Sequence, residues 1–180
     1  ILLAGLKKLE YRGYDSAGLA VRDEATGKIE VVKAKGRLHV LEEKTDGGRS
    51  VPGSCGIGHT RWATHGEPSE TNGIIENYQE LKEKLLKEGY QFYTATDTEV
   101  AVKLIDYYYK KTGTPLEAIA RTMLRVRGSY AFGILFKDYP DRMFAVRKDS
   151  PLIVGKGVNE NLIASDVPAT LDRTRTVYYI

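Results

Sequence analysis

Residues 58–66 form a group of polar side chains with the composition of a binding or catalytic loop. The group begins within an apolar segment, residues 56–60, which predicts a buried strand, and loops at strand ends are frequent places for functional sites. The Arg61 guanidinium is planar and suits a carboxylate, and Thr64 and His65 add further polar groups. The alternative is a structural strand end, at which Arg61 pairs with an acid and Trp62 closes the core.

Two further segments carry groups that could bind a reacting amino acid. Asn72 and Gly73 place a side-chain amide beside a backbone N–H, and two such donors can form an oxyanion hole. The same dipeptide is also a common hairpin turn. Asp97 lies within residues 96–99, whose spacing is typical of a helix capping box. Capping needs only one acid, so the Asp97 carboxylate could instead bind a ligand ammonium group.

Cys55 is the only cysteine, which excludes an internal disulfide and a cysteine-based zinc site. With only His39, His59 and His65 besides, we predict no metal, and because no phosphate-loop spacing occurs we predict no cofactor. Cys55 itself is predicted to be a small buried side chain. The alternative is a nucleophile assisted by His59, four residues further along the same strand face.

Taken together, these residues suit one class of reaction. Arg61 for a carboxylate, Asp97 for an ammonium, and Asn72 with Gly73 for an oxyanion would serve the hydrolysis of an amide in the side chain of an α-amino acid. The set lacks a nucleophile.

The composition is that of a folded globular protein. Of 180 residues, 42% are hydrophobic and 28% charged, and the net charge of +3 is too small to indicate a nucleic-acid or membrane partner. The apolar runs are too short to span a bilayer. We therefore expect a cytoplasmic protein with no nucleic-acid or membrane partner.

The elements that must position these residues alternate between helix and strand patterns. A helix over residues 2–9 precedes a hairpin of residues 17–22 and 29–33, a short helix over 38–44 and the strand at 56–60. Helices are predicted at 77–88, 100–110 and from 115 to about 127, the last two after capping boxes. Short strands follow at 130–136, 143–147, 152–155 and 162–165. The pattern predicts an α+β fold with antiparallel strand pairs.

Several long strings resemble the type 2 glutamine amidotransferase (glutaminase) domains of glutamine–fructose-6-phosphate aminotransferases (isomerising), also called glucosamine-6-phosphate synthases. The likeness covers essentially the whole chain in the same order, which makes it more specific than any single motif. The matching strings are residues 10–18, 59–66, 72–77, 96–100, 128–131 and 161–166.

The resemblance implies a four-layer αββα sandwich of the N-terminal-nucleophile hydrolase type. In this family an N-terminal cysteine attacks the glutamine amide with its own α-amino group as general base, and the ammonia converts fructose 6-phosphate to glucosamine 6-phosphate. The implied partners are glutamine and, through downstream sugar isomerase domains, fructose 6-phosphate, in a full-length homodimer.

The resemblance also implies roles for individual residues. Asn72 and Gly73 would hold the oxyanion, Arg61 the α-carboxylate of glutamine and Asp97 its α-ammonium. Thr64 and His65 would line the glutamine pocket. Trp62 would gate the passage of ammonia, and Arg12 would support the nucleophile region.

Two departures from the family pattern lead to further expectations. The cysteine-led start is absent, so we expect the nucleophile to precede Ile1, and Cys55 does not match it. The family has a further stretch and strand before its counterpart of Asn72, so we expect residues to be missing between Thr71 and Asn72. The whole chain, residues 1–180, is then one amidotransferase domain without its isomerase domains.

Two alternatives stay open from the residues. One is the glutaminase domain of an amidophosphoribosyltransferase or an asparagine synthetase, whose corresponding loops are similar. The other is a catalytically inactive glutamine-binding module, which would follow if no N-terminal cysteine exists.

Overall fold

A computed structural model describes residues 1–61 and 75–180. The chain divides into two compact units, one of residues 1–70, 131–145 and 151–180, the other of residues 71–130 and 146–150. Among the residues that the structure describes, no helix is long and apolar enough to cross a membrane.

The first unit is built around a three-stranded sheet with the order β2-β1-β3 and antiparallel neighbours. Its sheet strands and the two helices beside them are α1 (Leu2–Leu9), β1 (Ser16–Arg22), β2 (Ile29–Lys35), α2 (Leu38–Lys44) and β3 (Cys55–Arg61).

The turn between β1 and β2 has the chemistry of a tight hairpin. The Asp23 side chain accepts hydrogen bonds from the backbone N–H of Ala25 and from the hydroxyl of Thr26, both at 2.8 Å. Gly27 closes the turn with a φ of 67°, a conformation that glycine adopts without strain. The predicted hairpin is confirmed.

Alternation along β1 decides which face of the sheet is buried. Ala17, Leu19 and Val21 are each 6% exposed or less and pack with Leu6 of α1 and Leu41 of α2. Every second side chain of β1 is apolar and packs against the apolar faces of α1 and α2. The core of this unit therefore lies between the sheet and its two helices.

Five shorter strands follow; β6, β7 and β8 belong to the first unit, whereas β4 and β5 have residues in both units. β4 and β5 form a two-stranded sheet, and β6 lies between β7 and β8 in a three-stranded antiparallel sheet. Their bounds are β4 (Tyr130–Leu135), β5 (Met143–Lys148), β6 (Ile153–Lys156), β7 (Asn161–Ala164) and β8 (Val177–Tyr179).

The second unit is dominated by three helices, of which α4 packs against both others. They are α3 (Tyr78–Lys87), α4 (Asp97–Thr112) and α5 (Pro115–Met123). Their contact faces are apolar: Leu85, Val100, Leu104 and Ala118 have no exposed surface. Helical spacing of these residues matches the predicted amphipathic pattern.

The strand predicted over residues 56–60 exists, but the prediction that it is buried was wrong. Gly58 and His59 are exposed. Within the described ranges β3 lies at an edge of its sheet and pairs only with β1, so its other side has no strand neighbour.

Helices begin at both predicted capping boxes, but the predicted caps by the threonine side chains do not form. Neither Thr96 nor Thr114 caps its helix through its side chain. The Glu99 carboxylate accepts the backbone N–H of Thr94, in the turn before the helix. Glu117 pairs with Arg121 at 2.7 Å along the helix surface. Glutamate in the first turn remains favourable because it lies near the positive end of the helix dipole.

Helix α5 ends at Met123, four residues before the predicted end near Arg127. The Asn77 side chain donates to the carbonyl of Arg125 at 2.8 Å and accepts from the backbone N–H of Arg127 at 2.9 Å. These two hydrogen bonds hold the chain in a non-helical path that local sequence does not encode.

Candidate active site

Arg61 is the last residue of β3, and its own backbone is held by the neighbouring strand and by Asp15. It is opposite the buried Ser16 in the register with β1, and its carbonyl accepts a hydrogen bond from the backbone N–H of Asp15 at 3.0 Å. The structure therefore places Arg61 at a strand end, as predicted. The role predicted for its guanidinium stays a prediction.

Two glycines of β3 allow helix α1 to lie close to the strand that carries Arg61. A Cβ atom at Gly56 would come within 2.9 Å of the Ala20 carbonyl, and one at Gly58 within 3.0 Å of a Leu6 methyl group. Larger side chains would force the helix or the neighbouring strand away. The alternate glycines thus help to set the position of the strand end.

His59 precedes Arg61 by two residues, so both side chains point to the same face of β3. Although the His59 side chain reaches solvent, desolvation by the protein atoms around it, and secondarily the positive charge of Arg61, lower its pKa to about 4 from its ordinary value of 6.5. The imidazole is consequently neutral at neutral pH. Solvent nevertheless reaches the side chain, so water moderates the effect of the surrounding protein.

The pKa of His59 predicts a dependence of stability on pH. An unfolded chain binds a proton at His59 near pH 6.5 and the folded one only near pH 4, so stability is fully present above pH 6.5 and declines as the pH falls towards 4. We expect His59→Gln to flatten the decline between pH 6.5 and 4. Urea unfolding at pH 7 and pH 5 measures this, and equal pH sensitivity of the two proteins would contradict it.

Asp97 is the first residue of α4 and holds the segment that follows Asn72 and Gly73. One carboxylate oxygen accepts the backbone N–H of Ile75, and the other accepts that of Thr98 at 2.8 Å. Ile75 is 2% exposed, so this contact is anchored in the core of the second unit. Asp97 has the structural role of a helix-start acid, and its predicted binding of an ammonium stays a prediction.

Glu99, next but one to Asp97, fixes the turn before α4. Its carboxylate accepts hydrogen bonds from the backbone N–H of Thr94 at 2.8 Å, from the Thr94 hydroxyl at 2.6 Å and from the backbone N–H of Tyr93. Burial alone would raise the pKa of Glu99, but these hydrogen bonds and the charge of Lys103 lower it. Glu99 therefore stays ionised and keeps the start of α4 in place.

Arg12 ends a 3-10 turn, Glu10–Arg12, that links α1 to β1. Its guanidinium lies 3.7 Å from the Asp166 carboxylate, and the neighbouring Tyr11 hydroxyl donates to the same carboxylate at 2.9 Å. This hydrogen bond is the largest cause of the raised pKa of Tyr11. The prediction that Arg12 supports the nucleophile region stays open.

The remaining predicted site residues lie outside the described residues. They are Trp62, Thr64, His65, Asn72 and Gly73.

Asp166 and Glu99 were not predicted as individual site residues, although both lie within strings that resembled the family. Asp166 directly precedes Val167-Pro168 and accepts the backbone N–H of Val167 at 2.8 Å. An acid immediately before a proline-containing turn is a recognisable cap signal. Its contact with Tyr11, 155 residues away along the chain, has no local signal.

Other features of the described residues do not add a site. Cys55 is a partly buried free thiol, and it is about 13 Å along the strand from His59, too far for a nucleophile and its base. No group of three metal-ligating side chains occurs among residues 1–61 and 75–180.

A recess of about 520 Å³ in the second unit contains none of the predicted site residues. Two lysines line it, but Lys110 pairs with Asp106 at 2.7 Å and Lys103 with Glu99 at 3.7 Å. Since both ammonium groups already have carboxylate partners, we assign no substrate to this recess.

Comparison with known proteins links the chain to glutamine-dependent enzymes. Residues 69–172 match the family model described as a glutamine amidotransferase domain. Curated relatives named glutamine–fructose-6-phosphate aminotransferase [isomerizing] are 52% identical in Caldanaerobacter subterraneus and 53% identical in Clostridium tetani, over 100% of this chain. The chain spans 31% of the length of these relatives.

Solved structures give the same picture of the fold. Glutamine phosphoribosylpyrophosphate amidotransferase from B. subtilis, in complex with ADP and GMP, is 27% identical with a TM-score of 0.77 and covers 99% of this chain and 41% of its own. The allosteric regulatory enzyme of purine biosynthesis is 26% identical with a TM-score of 0.78, at the same coverage. The predicted α+β sandwich of the N-terminal-nucleophile hydrolase type is confirmed.

Proposed function

Because this chain belongs to the glutamine amidotransferase domain family, we propose that it hydrolyses the side-chain amide of glutamine and supplies the ammonia for converting fructose 6-phosphate to glucosamine 6-phosphate. The family predicted from the sequence strings is confirmed. The observation that carries the proposal is identity of about one half over the whole chain with relatives named for this reaction. Identity with the phosphoribosylpyrophosphate enzyme is about half as high, which disfavours that alternative.

The proposed chemistry proceeds through a covalent intermediate. The sulfur of an N-terminal cysteine attacks the amide carbon of glutamine while the cysteine's own α-amino group takes the thiol proton. The C–N bond breaks, the proton passes to the leaving nitrogen, and ammonia departs from a glutamyl thioester. Water then hydrolyses the thioester to glutamate and restores the thiol.

In this proposal Arg61 binds the α-carboxylate of glutamine and Asp97 its α-ammonium group. The pairing of the Arg61 backbone with β1 and with Asp15 supports a defined guanidinium position, and charge-assisted hydrogen bonds of this kind are strong. The Asp97 carboxylate is held at the start of α4 by the backbone N–H groups of Ile75 and Thr98, which supports a defined position for its charge.

The other proposed roles rest on the family pattern. Asn72 and Gly73 donate to the oxyanion that forms when sulfur attacks, which stabilises the transition state. Thr64 and His65 line the glutamine pocket, Trp62 gates the passage of ammonia, and Arg12 supports the nucleophile region.

We further propose that the domain is part of a longer cytoplasmic enzyme. The 31% share of the relatives' length supports further domains in the whole protein. We propose that these are downstream isomerase domains that bind fructose 6-phosphate and that the whole protein is a homodimer. Alignments with these relatives extend over 196 positions against the 180 residues of this chain, so at least 16 of their positions lack a counterpart. We propose that some of these positions lie between Thr71 and Asn72, where the family pattern has a further stretch.

The test is glutamate release by the full-length protein and labelling with a glutamine analogue that carries an electrophilic ketone. We expect one equivalent of label on an N-terminal cysteine, found by peptide mass spectrometry, and loss of activity on labelling.

Cys55→Ser is the matched control and should keep both activity and labelling. Label on Cys55, or no glutamate release from a protein with an intact N-terminal cysteine, would contradict the proposal; the second result favours the inactive glutamine-binding module.

A further inference from the structure

The segment from Glu10 to Asp15, here called the corner, connects α1 to β1 and touches the strand end that carries Arg61. At its end, Asp15 donates its backbone N–H to the carbonyl of Arg61 at 3.0 Å and accepts the N–H of Gly36 at 2.7 Å. At its start, the Glu10 carboxylate accepts the backbone N–H of Leu38 at 3.1 Å. The corner is thus bonded to the backbone of Arg61 at one end and to α2 at the other.

Asp166 holds the middle of the corner from a distant part of the same unit. One oxygen of its carboxylate accepts the Tyr11 hydroxyl at 2.9 Å and lies 3.7 Å from the Arg12 guanidinium. The other oxygen accepts the backbone N–H of Val167 at 2.8 Å, which fixes the orientation of the carboxylate itself. The corner therefore has a side-chain anchor three residues before the contact with Arg61.

The location of this anchor argues against a mainly stabilising role. Tyr11 is 63% exposed, and the side chains of Arg12 and Asp166 are 41% and 37% exposed. Exposed ion pairs contribute little to global stability because water and salt screen them. A small displacement of a substrate-binding group can nevertheless weaken its function strongly.

We infer that Asp166 is a positioning residue that sets the location of Arg61 through the corner, and so tunes the binding of the substrate α-carboxylate. The inference rests on the proposed function, because it takes Arg61 as the group that binds glutamine. Asp166 does not touch the substrate in this account. It acts by holding Tyr11 and Arg12, and the backbone from Gly13 to Asp15 transmits the constraint.

The experiment compares Asp166→Ala with the matched control Asp172→Ala in the full-length protein. Asp172 also forms an exposed ion pair with the first helix, with Lys8 at 3.5 Å, but does not contact the corner. We expect Asp166→Ala to raise the KM for glutamine about 3- to 10-fold and to weaken competitive inhibition by glutamate by the same factor. The kcat should change less than about 2-fold, because binding and not chemistry is altered.

Two further variants keep the test decisive if Asp166→Ala folds poorly. Tyr11→Phe removes only an exposed hydroxyl. Asp166→Asn removes the charge and keeps one oxygen acceptor, which can serve Tyr11 or Val167 but not both. Both should raise KM and the glutamate inhibition constant together, by less than Asp166→Ala does. Asp172→Ala should change neither constant.

Two results would overturn the inference. Equal KM values for Asp166→Ala and Asp172→Ala would show that the anchor does not act on substrate binding. A loss of kcat with KM unchanged would place the effect on the nucleophile region instead. Absence of glutamate release by the unaltered protein is a different result, because it rejects the proposed function before any variant is compared.

Discussion

Replacing Arg61 by alanine is expected to raise the KM of the full-length protein for glutamine by about 100-fold, with a smaller effect on kcat. A guanidinium that binds a carboxylate through two charge-assisted hydrogen bonds contributes roughly 2–5 kcal/mol when its removal leaves the charge unpaired. A factor of 100 corresponds to about 2.7 kcal/mol. Steady-state kinetics with glutamine as the varied substrate measures the change.

Arg61→Lys separates geometry from charge in the same experiment. Lysine keeps the positive charge but not the planar pair of donors, so we expect about a 10-fold rise in KM. Arg49→Ala is the matched control, because Arg49 is an exposed arginine in the same unit that pairs with Asp46 through two of its nitrogens. An Arg61→Ala protein with the KM of the Arg49→Ala protein would contradict the assigned role.

Replacing Asp97 is expected to separate a structural role from a binding role. Asp97→Asn keeps one oxygen acceptor, enough for the backbone N–H of Ile75 but not also for that of Thr98, and it loses the charge that would bind the α-ammonium of glutamine. We expect a rise in KM of about 50- to 100-fold with a loss of stability of about 1 kcal/mol.

Asp97→Ala loses both the charge and the acceptors. The partly buried backbone N–H of Ile75 then loses its acceptor, which costs roughly 1–3 kcal/mol. We therefore expect the KM of Asp97→Ala for glutamine to be similar to that of Asp97→Asn, but its unfolding midpoint to be clearly lower.

The matched control is Asp106→Asn, because Asp106 is an acid on the same helix that pairs with Lys110; this change should leave the KM for glutamine unchanged. If Asp97→Asn binds glutamine as well as Asp106→Asn does, Asp97 is only a structural acid.

Local chemistry made part of this fold predictable. Helix α2 begins and ends at the predicted residues, and the hairpin of β1 and β2 forms where Asp23 and Gly27 supply a turn. In both cases the information lies within a few residues, because side-chain spacing and backbone conformation decide the element.

Elements that depend on distant partners were less predictable. Helix α5 stops early because Asn77, about 50 residues away, binds the chain at Arg125 and Arg127. Glu99 was predicted to close a capping box but accepts hydrogen bonds from Tyr93 and Thr94 instead. Short-range patterns cannot choose between such partners, since the choice depends on what the rest of the chain brings nearby.

The candidate site also has a part that the sequence predicts and a part that depends on distant contacts. By itself the sequence determined the residue types, an arginine at a strand end and an acid at a helix start, because charge and hydrogen-bonding capacity belong to the side chains. Only the tertiary structure decided that Asp166 anchors Tyr11 and Arg12, that the corner is bonded to the backbone of Arg61, and that Asp97 holds Ile75. These contacts join residues far apart in sequence, and their formation depends on packing of the whole unit.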